Sequence, residues 1–274
     1  MRKLLAWITI SSVVTGVLIM KGGFSFDKVS PAYIEKTGAY PYVVLGMCIF
    51  MLYLKRSHIV DSMEMEIRKS HVILGISLAI ISMLLPANEP PIQILAILLL
   101  WVGIFTAMFG RAALIPIVLV GIYSFALLFP LILSGSGDIF PMVTTIVLVS
   151  LIQPFIPLGN QDQTIHFLDI AGGNQYYLID AGCSGSASLA LFFSLFFLMM
   201  LDTPIKWRNT VYMLIFGIAG TSLQNIMRLV VLVFAGYWYG NDALWTAHAY
   251  AGYILFPVWF TFFAYVYLKQ AKRS

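Results

Sequence analysis

The sequence predicts an all-α polytopic membrane protein with about eight transmembrane helices, an outer-face interfacial or re-entrant helix and a short extracytoplasmic β-hairpin. Three observations predict this fold class. The 274 residues are 60% hydrophobic and only 10% charged, whereas an average soluble domain is about one quarter charged. Apolar segments recur along the chain at close to the ~20 residues that a transmembrane helix needs. One sizeable polar stretch, residues 159–182, interrupts the later part of this pattern.

Nine apolar segments are candidates for membrane spans. They cover residues 4–20, 39–54, 72–85, 92–109, 112–133, 141–158, 184–201, 210–235 and 245–268. The first follows a charged start, Arg2-Lys3, and resembles a signal peptide. Because no small-x-small cleavage site comes after it, we expect an uncleaved first span.

Basic residues predict the orientation of these segments by the positive-inside rule. Lys and Arg residues cluster at the N-terminus, in the loops 55–69 and 202–209, and in the C-terminal tail. These regions are therefore expected on the cytoplasmic side, with both termini inside. An even number of crossings is then required, so one of the nine segments does not cross.

The segment 141–158 is the favoured exception. Counting from either terminus places the loops on both sides of it outside, and it contains Gln153, Pro154 and Pro157. We interpret it as an interfacial or re-entrant helix on the outer face. The alternative is that 141–158 crosses and the short 72–85 segment does not. That alternative is less favoured because it puts part of the 55–69 basic cluster outside.

The polar stretch before Cys183 predicts a β-hairpin. Two short apolar-rich runs flank the turn residues Gly172-Gly173-Asn174, a pattern typical of two strands joined by a turn. The second strand leads directly into Cys183, which stands where the polar loop becomes a long apolar segment. No Cys or His spacing resembles a zinc site, and we expect no cofactor.

Three polar residues in the last three predicted spans are expected at the same depth near the outer surface. Cys183 begins the 184–201 span from outside. Arg228 lies about 27 Å along the next, outward-running span, at ~1.5 Å per residue. His248 lies within the first turn or so of the returning span. The sequence therefore predicts that a thiol, a guanidinium and an imidazole share one site.

These residue types suit nucleophilic catalysis. A thiol at a helix N-terminus beside cations is expected to have a lowered pKa, and the thiolate is the nucleophile. Arg228 stays charged, so it can stabilise a thiolate or an oxyanion but cannot act as a base. His248 can take the thiol proton and return it to a leaving amine. Asn225, one helical turn before Arg228, is expected to orient it or to donate to the oxyanion.

Some of these residues also have structural interpretations. Cys48 lies within an apolar run and is interpreted as a small hydrophobe. His248 is distinguished from an ordinary interfacial histidine only by its depth. Arg228 is a functional candidate by default because a charge inside a span is costly. A transporter or channel that binds an anionic substrate at Arg228 remains the alternative function. It predicts symmetry between two Gly/Pro-interrupted halves, which the sequence lacks.

The chain resembles a known family at these residues. The motifs are Ala181-Gly-Cys183-Ser184-Gly185 before an apolar helix, then Asn225-Ile-Met-Arg228, then His248-Ala-Tyr-Ala-Gly252. Together they resemble the exosortase/archaeosortase signature over about residues 159–260. The family often has Val-Ala-Glu-Ala before the cysteine, whereas here the acid is shifted to Asp180. A histidine at position 248 resembles the bacterial exosortase pattern, since an arginine can replace it in archaeal relatives.

The resemblance implies a membrane cysteine protease or transpeptidase. Cys183 would be the nucleophile, Arg228 the electrostatic stabiliser and His248 the acid/base. Asn225, Ser184, Asp180 and Gly252 would support the site or contact substrate, with Gly252 leaving room beside the imidazole. The implied partners are exported proteins with a C-terminal tail comprising a short motif, one transmembrane helix and a basic cluster. A lipid or glycan acceptor is also possible in this class, and no nucleic acid is expected.

A single membrane domain, residues 1–274, is expected in the cytoplasmic membrane, with the active site on its outer side. Its expected parts are N-terminal helices at 1–138, the outer interfacial helix and hairpin loop at 139–182, and the catalytic helices at 183–274.

Overall fold

The computed structural model of the protein describes residues 40–63, 68–85, 90–135, 139–180 and 183–273. It is mostly helical and contains one small antiparallel sheet. The uncleaved span expected at 4–20 lies outside the described residues. The chain divides into two compact units, Met1–Leu128 and Phe129–Ser274. The expected single membrane domain stays a prediction.

The described part of the first unit is helical. Its elements are α1 (Tyr40–Leu54), α2 (Arg56–Met63), α3 (Lys69–Leu84), α4 (Pro90–Phe109), a 3₁₀ turn (Gly110–Ala113) and the start of α5 (Leu114–Gly135). Helices α3 and α4 approach closely at Gly75 and Gly103, where a Cβ on either glycine would overlap the backbone of the other helix. Small residues of this kind let apolar helices pack backbone to backbone.

The second unit carries all the candidate site residues that the structure describes. After the end of α5 it contains α6 (Ile139–Ile152), β1 (Leu158–Gln161), β2 (Thr164–Leu168), β3 (Asn174–Leu178), α7 (Ser186–Asp202), α8 (Trp207–Tyr239) and α9 (Asn241–Ala271). The predicted helical segment 141–158 was wrong at its C-terminal end, because α6 stops at Ile152 and residue 158 begins a strand. Pro154 and Pro157 favour this helix end, since each lacks the backbone N–H and disfavours the helical conformation in the preceding residue.

Three stretches of the described residues are long and apolar enough to cross a membrane. They are Leu95–Pro130, Trp207–Tyr239 and Asn241–Ala271. Four shorter apolar helices accompany them: Tyr40–Leu54, Lys69–Leu84, Ile139–Ile152 and Ser186–Asp202. The helical membrane class is therefore confirmed, whereas the count of eight spans is not established. At ~1.5 Å per residue, the 33-residue α8 is about 50 Å long, longer than the ~30 Å hydrocarbon core.

The predicted hairpin exists and has a third strand. Strands β2 and β3 pair antiparallel, with Ile165 opposite Tyr177, and β1 pairs antiparallel along the other side of β2. Alternate residues of the sheet are buried, as the two-residue period of a strand requires. The inward side chains join one apolar core with α6 and α8, formed in part by Leu148, Ile152, Ile165, Phe167, Tyr177, Ile179, Leu229, Leu232 and Val233.

One hydrogen bond joins the β2–β3 turn to the C-terminal end of α8, and others order the turn itself. The Ile170 N–H donates to the Tyr237 carbonyl at 3.0 Å. Within the β2–β3 turn, the Asp169 carboxylate accepts the Gly173 N–H at 2.7 Å and the Gln175 side-chain amide at 2.9 Å. These bonds lower the pKa of Asp169 because they stabilise its ionised form. The sheet therefore lies beside the junction of α8 and α9.

Helix α7 begins directly against α8, and Gly185 makes this approach possible. Gly185 precedes the helix with φ of 97°, in the left-handed region. A Cβ at this position would lie 2.9 Å from Nδ2 and 3.0 Å from Cγ of Asn225 on α8. Both the backbone conformation and the contact therefore require glycine.

Replacing Gly185 with alanine is expected to destabilise the protein more than a matched change at Gly172. Gly172 also has a positive φ, 86°, but an added Cβ there meets nothing within 4 Å. Gly172→Ala should therefore cost about 1 kcal/mol for the left-handed backbone alone, and Gly185→Ala should add the clash with Asn225. Thermal unfolding of the detergent-solubilised variants measures both. Equal losses would contradict the close packing of α7 against α8.

Candidate active site

Cys183 lies in a turn that Asp180 holds at the end of β3. The Cys183 N–H donates to Oδ1 of Asp180 at 2.9 Å, and the Ser184 N–H donates to the Asp180 carbonyl at 3.0 Å. The Ser184 carbonyl in turn accepts the Thr144 hydroxyl of α6 at 3.4 Å. Cys183 is 8% exposed and is a free thiol. Asp180 is thus a positioning residue for the turn that carries the thiol.

Two side chains of α8 converge on the carbonyl oxygen of Cys183. Nδ2 of Asn225 donates to it at 3.1 Å, and an Arg228 guanidinium nitrogen, NH2, donates at 3.3 Å. The i, i+3 spacing places the two donors on one face of the helix. Among the described residues, the buried Oδ1 of Asn225 and Nε of Arg228 have no hydrogen-bond partner. The same holds for both side-chain amide atoms of the preceding Gln224.

The thiol of Cys183 is connected to His248 through a tyrosine. The Tyr177 hydroxyl lies 3.1 Å from the Cys183 Sγ and 3.0 Å from Nδ1 of His248. Trp245, one turn before His248 on α9, packs edge-on against both the imidazole and the Tyr177 ring. Three elements, β3, the turn before α7, and α9, therefore meet at one hydroxyl group.

The structure brings Cys183, Arg228 and His248 into one cluster, with Asn225, Ser184 and Asp180 around the cysteine. Helix α9 starts at Asn241, earlier than the predicted 245, so His248 lies about two turns into it rather than one. Gly252 lies near Arg228, since an added Cβ would be 3.6 Å from the guanidinium NH1. The expectation that it leaves room beside the imidazole stays a prediction.

The residue that sequence reasoning missed is Tyr177. The alternation of β3 carried a usable signal, because Gln175, Tyr177 and Ile179 share the buried face of the strand. What the sequence could not indicate was that this face is directed at the α8–α9 junction. That direction follows from the core that Tyr177 shares with Leu232 of α8 and Leu244 of α9.

Burial controls the protonation of the thiol. The pKa of Cys183 is raised, first by its burial and further by the Asp180 carboxylate, whereas the Tyr177 hydrogen bond and the Arg228 charge act in the opposite direction. The expectation of a lowered pKa was wrong, because desolvation outweighs the nearby cation. Burial and the neighbouring Cys183 also raise the pKa of Tyr177. Both groups are therefore protonated near neutral pH.

Comparison with known proteins identifies the family. A model of the transmembrane exosortase family matches residues 34–265, which is most of the chain. The chain belongs to the transmembrane exosortase family. No curated protein and no solved structure matches it.

Exosortases are membrane proteins that act in protein sorting. Membership of the family therefore indicates a membrane protease or transpeptidase. In this exosortase, the match includes Cys183, Arg228 and His248. Within the part of the chain that the structure describes, no cluster of three or more His, Cys, Asp or Glu side chains is arranged to hold a metal ion.

Alkylation of Cys183 is expected to respond in opposite directions to two neighbouring charges. In a Cys48→Ser background, Cys183 is the sole thiol, and its iodoacetamide reaction should reach half-maximal rate above the ordinary thiol pKa of ~8.5. Arg228→Gln should move this midpoint upward, because the positive charge that lowers the pKa is removed. Asp180→Asn should move it downward, because the amide keeps an acceptor but loses the negative charge. Shifts of the same sign in both variants would contradict this electrostatic arrangement.

Proposed function

We propose that the protein is a membrane-embedded cysteine protease or transpeptidase that cleaves the C-terminal sorting tail of exported proteins. The observation that carries the proposal is the cluster of thiol, hydroxyl, imidazole and guanidinium groups around Cys183, within a chain of the exosortase family. Cys183 is the proposed nucleophile, and the product of its attack is an acyl-enzyme.

His248 is the proposed acid/base. It lies two hydrogen bonds from the thiol, and neutral imidazole can accept the proton that a raised-pKa thiol must lose before it attacks. Arg228 is the proposed electrostatic stabiliser. One guanidinium nitrogen holds the Cys183 carbonyl, while the unpartnered Nε and its fixed positive charge remain for the developing oxyanion.

The acyl-enzyme has two chemically distinct exits. Water would release the shortened protein as a free acid, whereas an amine- or hydroxyl-bearing lipid or glycan would complete a transfer. In either case the leaving amine takes the proton that the thiol lost. The helices long enough to cross the bilayer would accept the substrate's own transmembrane helix alongside them.

The proposed setting is the cytoplasmic membrane, with eight spans, both termini inside and the active site on the outer face. The charge pattern supports this orientation, because Lys206 precedes α8 and Arg208 lies in its first turn, while the sheet lies at the opposite end of that helix. The proposed substrate tail has a short motif, one transmembrane helix and a cytoplasmic basic cluster, which matches this orientation.

The open edge of β3 is the proposed binding place for the substrate motif. The Ile179 N–H donates to the Gln163 carbonyl, so by the alternation of an antiparallel ladder Tyr177 also bonds toward β2. The backbone groups of Tyr176 and Leu178 then point away from the sheet, at an edge that has no other strand among the described residues. An extended peptide added there would run directly past Cys183.

Cys183→Ala is expected to abolish cleavage of a tail-bearing substrate. The reason is that no other thiol lies in this site, and the only other cysteine of the chain, Cys48, is buried in α1. The measurement is the size and C-terminus of a reporter carrying such a tail, co-reconstituted with the enzyme in liposomes. Cys48→Ala serves as the control and should leave cleavage intact.

Unaltered processing by Cys183→Ala would overturn the assignment. A transporter that binds an anion at Arg228 predicts that Cys183 is dispensable, so the same variant separates the two hypotheses.

Leu178→Pro is expected to raise KM for the tail-bearing substrate at least about tenfold while leaving the folded enzyme intact. Proline removes an outward N–H from the β3 edge, which is worth roughly 1.5 kcal/mol when a peptide is paired there. Asn160→Pro makes the same change at the outward position of β1, on the far edge of the sheet. Equal KM changes in both variants would exclude recognition at the β3 edge.

A further inference from the structure

We propose that Tyr177 is a catalytic residue that passes the proton between Cys183 and His248. This proposal rests on the proposed function and adds a component to its site. The hydroxyl is the group that touches both the reacting sulfur and the imidazole, at 3.1 Å and 3.0 Å. Among the described residues, no hydrogen bond joins His248 directly to Cys183, so proton exchange between them follows the tyrosine.

The surroundings of the hydroxyl favour a fixed path. Tyr177 is 2% exposed and Cys183 is 8% exposed, so both side chains are shielded from bulk solvent. The Tyr177 ring is part of the apolar core between the sheet and α8, and Trp245 packs against its edge. A hydroxyl held in this way can exchange hydrogen bonds without moving its ring.

The hydrogens can be ordered in one consistent direction. The thiol donates to the Tyr177 oxygen, the Tyr177 hydroxyl donates to Nδ1 of His248, and Nε2 of the neutral imidazole carries the other proton. As Sγ forms its bond to the substrate carbonyl carbon, the thiol proton moves to the tyrosine and the tyrosine proton moves to Nδ1. The products are a tetrahedral oxyanion whose carbon carries both Sγ and the leaving nitrogen, an unchanged tyrosine and an imidazolium.

The return step uses the same groups. When the C–N bond of the tetrahedral intermediate breaks, the leaving nitrogen takes the tyrosine proton, and the Nδ1 proton of the imidazolium replaces it. The acyl-enzyme then stands with tyrosine and imidazole both neutral. Tyr177 therefore ends each half-reaction protonated, in keeping with the upward shift of its pKa by burial.

A purely structural tyrosine is the competing explanation. The hydroxyl would then only form hydrogen bonds with Cys183 and His248, without transferring a proton between them. The two explanations differ in whether the effect of His248 on the thiol depends on Tyr177. The ionisable and charged groups around the hydroxyl are Cys183 and Asp180 in the turn, Arg228 on α8 and His248 on α9. The pH profiles of thiol alkylation are therefore compared between variants that keep Cys183, Asp180 and Arg228 unchanged.

A double-mutant cycle on Cys183 alkylation tests the relay without any substrate. In the full-length Cys48→Ser protein, His248→Gln and Tyr177→Phe should each slow iodoacetamide labelling and shift its pH profile upward. Combined, the two changes should slow it no more than the stronger one alone, because each interrupts the same path. Additive effects would show that His248 reaches the thiol independently and would overturn the proposal.

Cleavage of the tail-bearing substrate provides the second readout. Tyr177→Phe should lower kcat by about 100-fold, in the range of acid–base contributions, with little change in KM. The control is Tyr42→Phe, because Tyr42 is a tyrosine of α1, is 60% exposed and lies outside the sheet and the helices that carry the site. It should behave as the unmodified enzyme in both assays.

The outcomes separate the relay from the proposed function. A cycle that is non-additive in alkylation, in an enzyme that cleaves no tail, would keep the relay and overturn the protease assignment. Cleavage that survives Tyr177→Phe with an unchanged rate would overturn the relay and keep the protease. The thermal unfolding midpoint of Tyr177→Phe, which retains the buried ring, should stay within a few degrees of the unmodified protein.

Discussion

The carbonyl oxygen of Cys183 is the point on which the rest of the site depends. Asn225 and Arg228 both donate to it, and these bonds join the turn before α7 to the middle of α8. The approach that they require explains the left-handed glycine at 185, since any side chain there would meet Asn225. The position of the sulfur is thus determined by main-chain bonds, which leaves the thiol free to interact with its chemical partners.

Opposing charges act on the Cys183 thiol at close range. Asp180 positions the turn through the Cys183 N–H but raises the pKa of the thiol, while Arg228 lowers it from the other side of the same residue. Burial exceeds both influences. The thiol is protonated at rest, and His248 lies two hydrogen bonds away. This arrangement suits a reaction in which the thiol loses its proton only as Sγ bonds to a substrate.

The sequence predicted that Cys183, Arg228 and His248 lie close together, because the position of each can be counted in residues from the end of a predicted span. Charge clusters oriented the spans, and the helix rise then converted residue numbers into depth. Tyr177 could not be found in this way, since its role depends on which side of the sheet meets α8. The proximity of Gly252 to Arg228 could not be predicted for a related reason, because spacing along α9 does not indicate which side chain of α8 lies opposite. The end of α6 was misplaced although Pro154 and Pro157 marked it, because the apolar run continued through them.

The depth at which the thiol is buried has a consequence for its oxidation. Oxidation to sulfenic acid or to a mixed disulfide requires a thiolate that oxidants or other thiols can reach. Cys183 is neither exposed nor ionised at rest. The same burial that makes ionisation of the thiol depend on a base therefore also protects the thiol from oxidation.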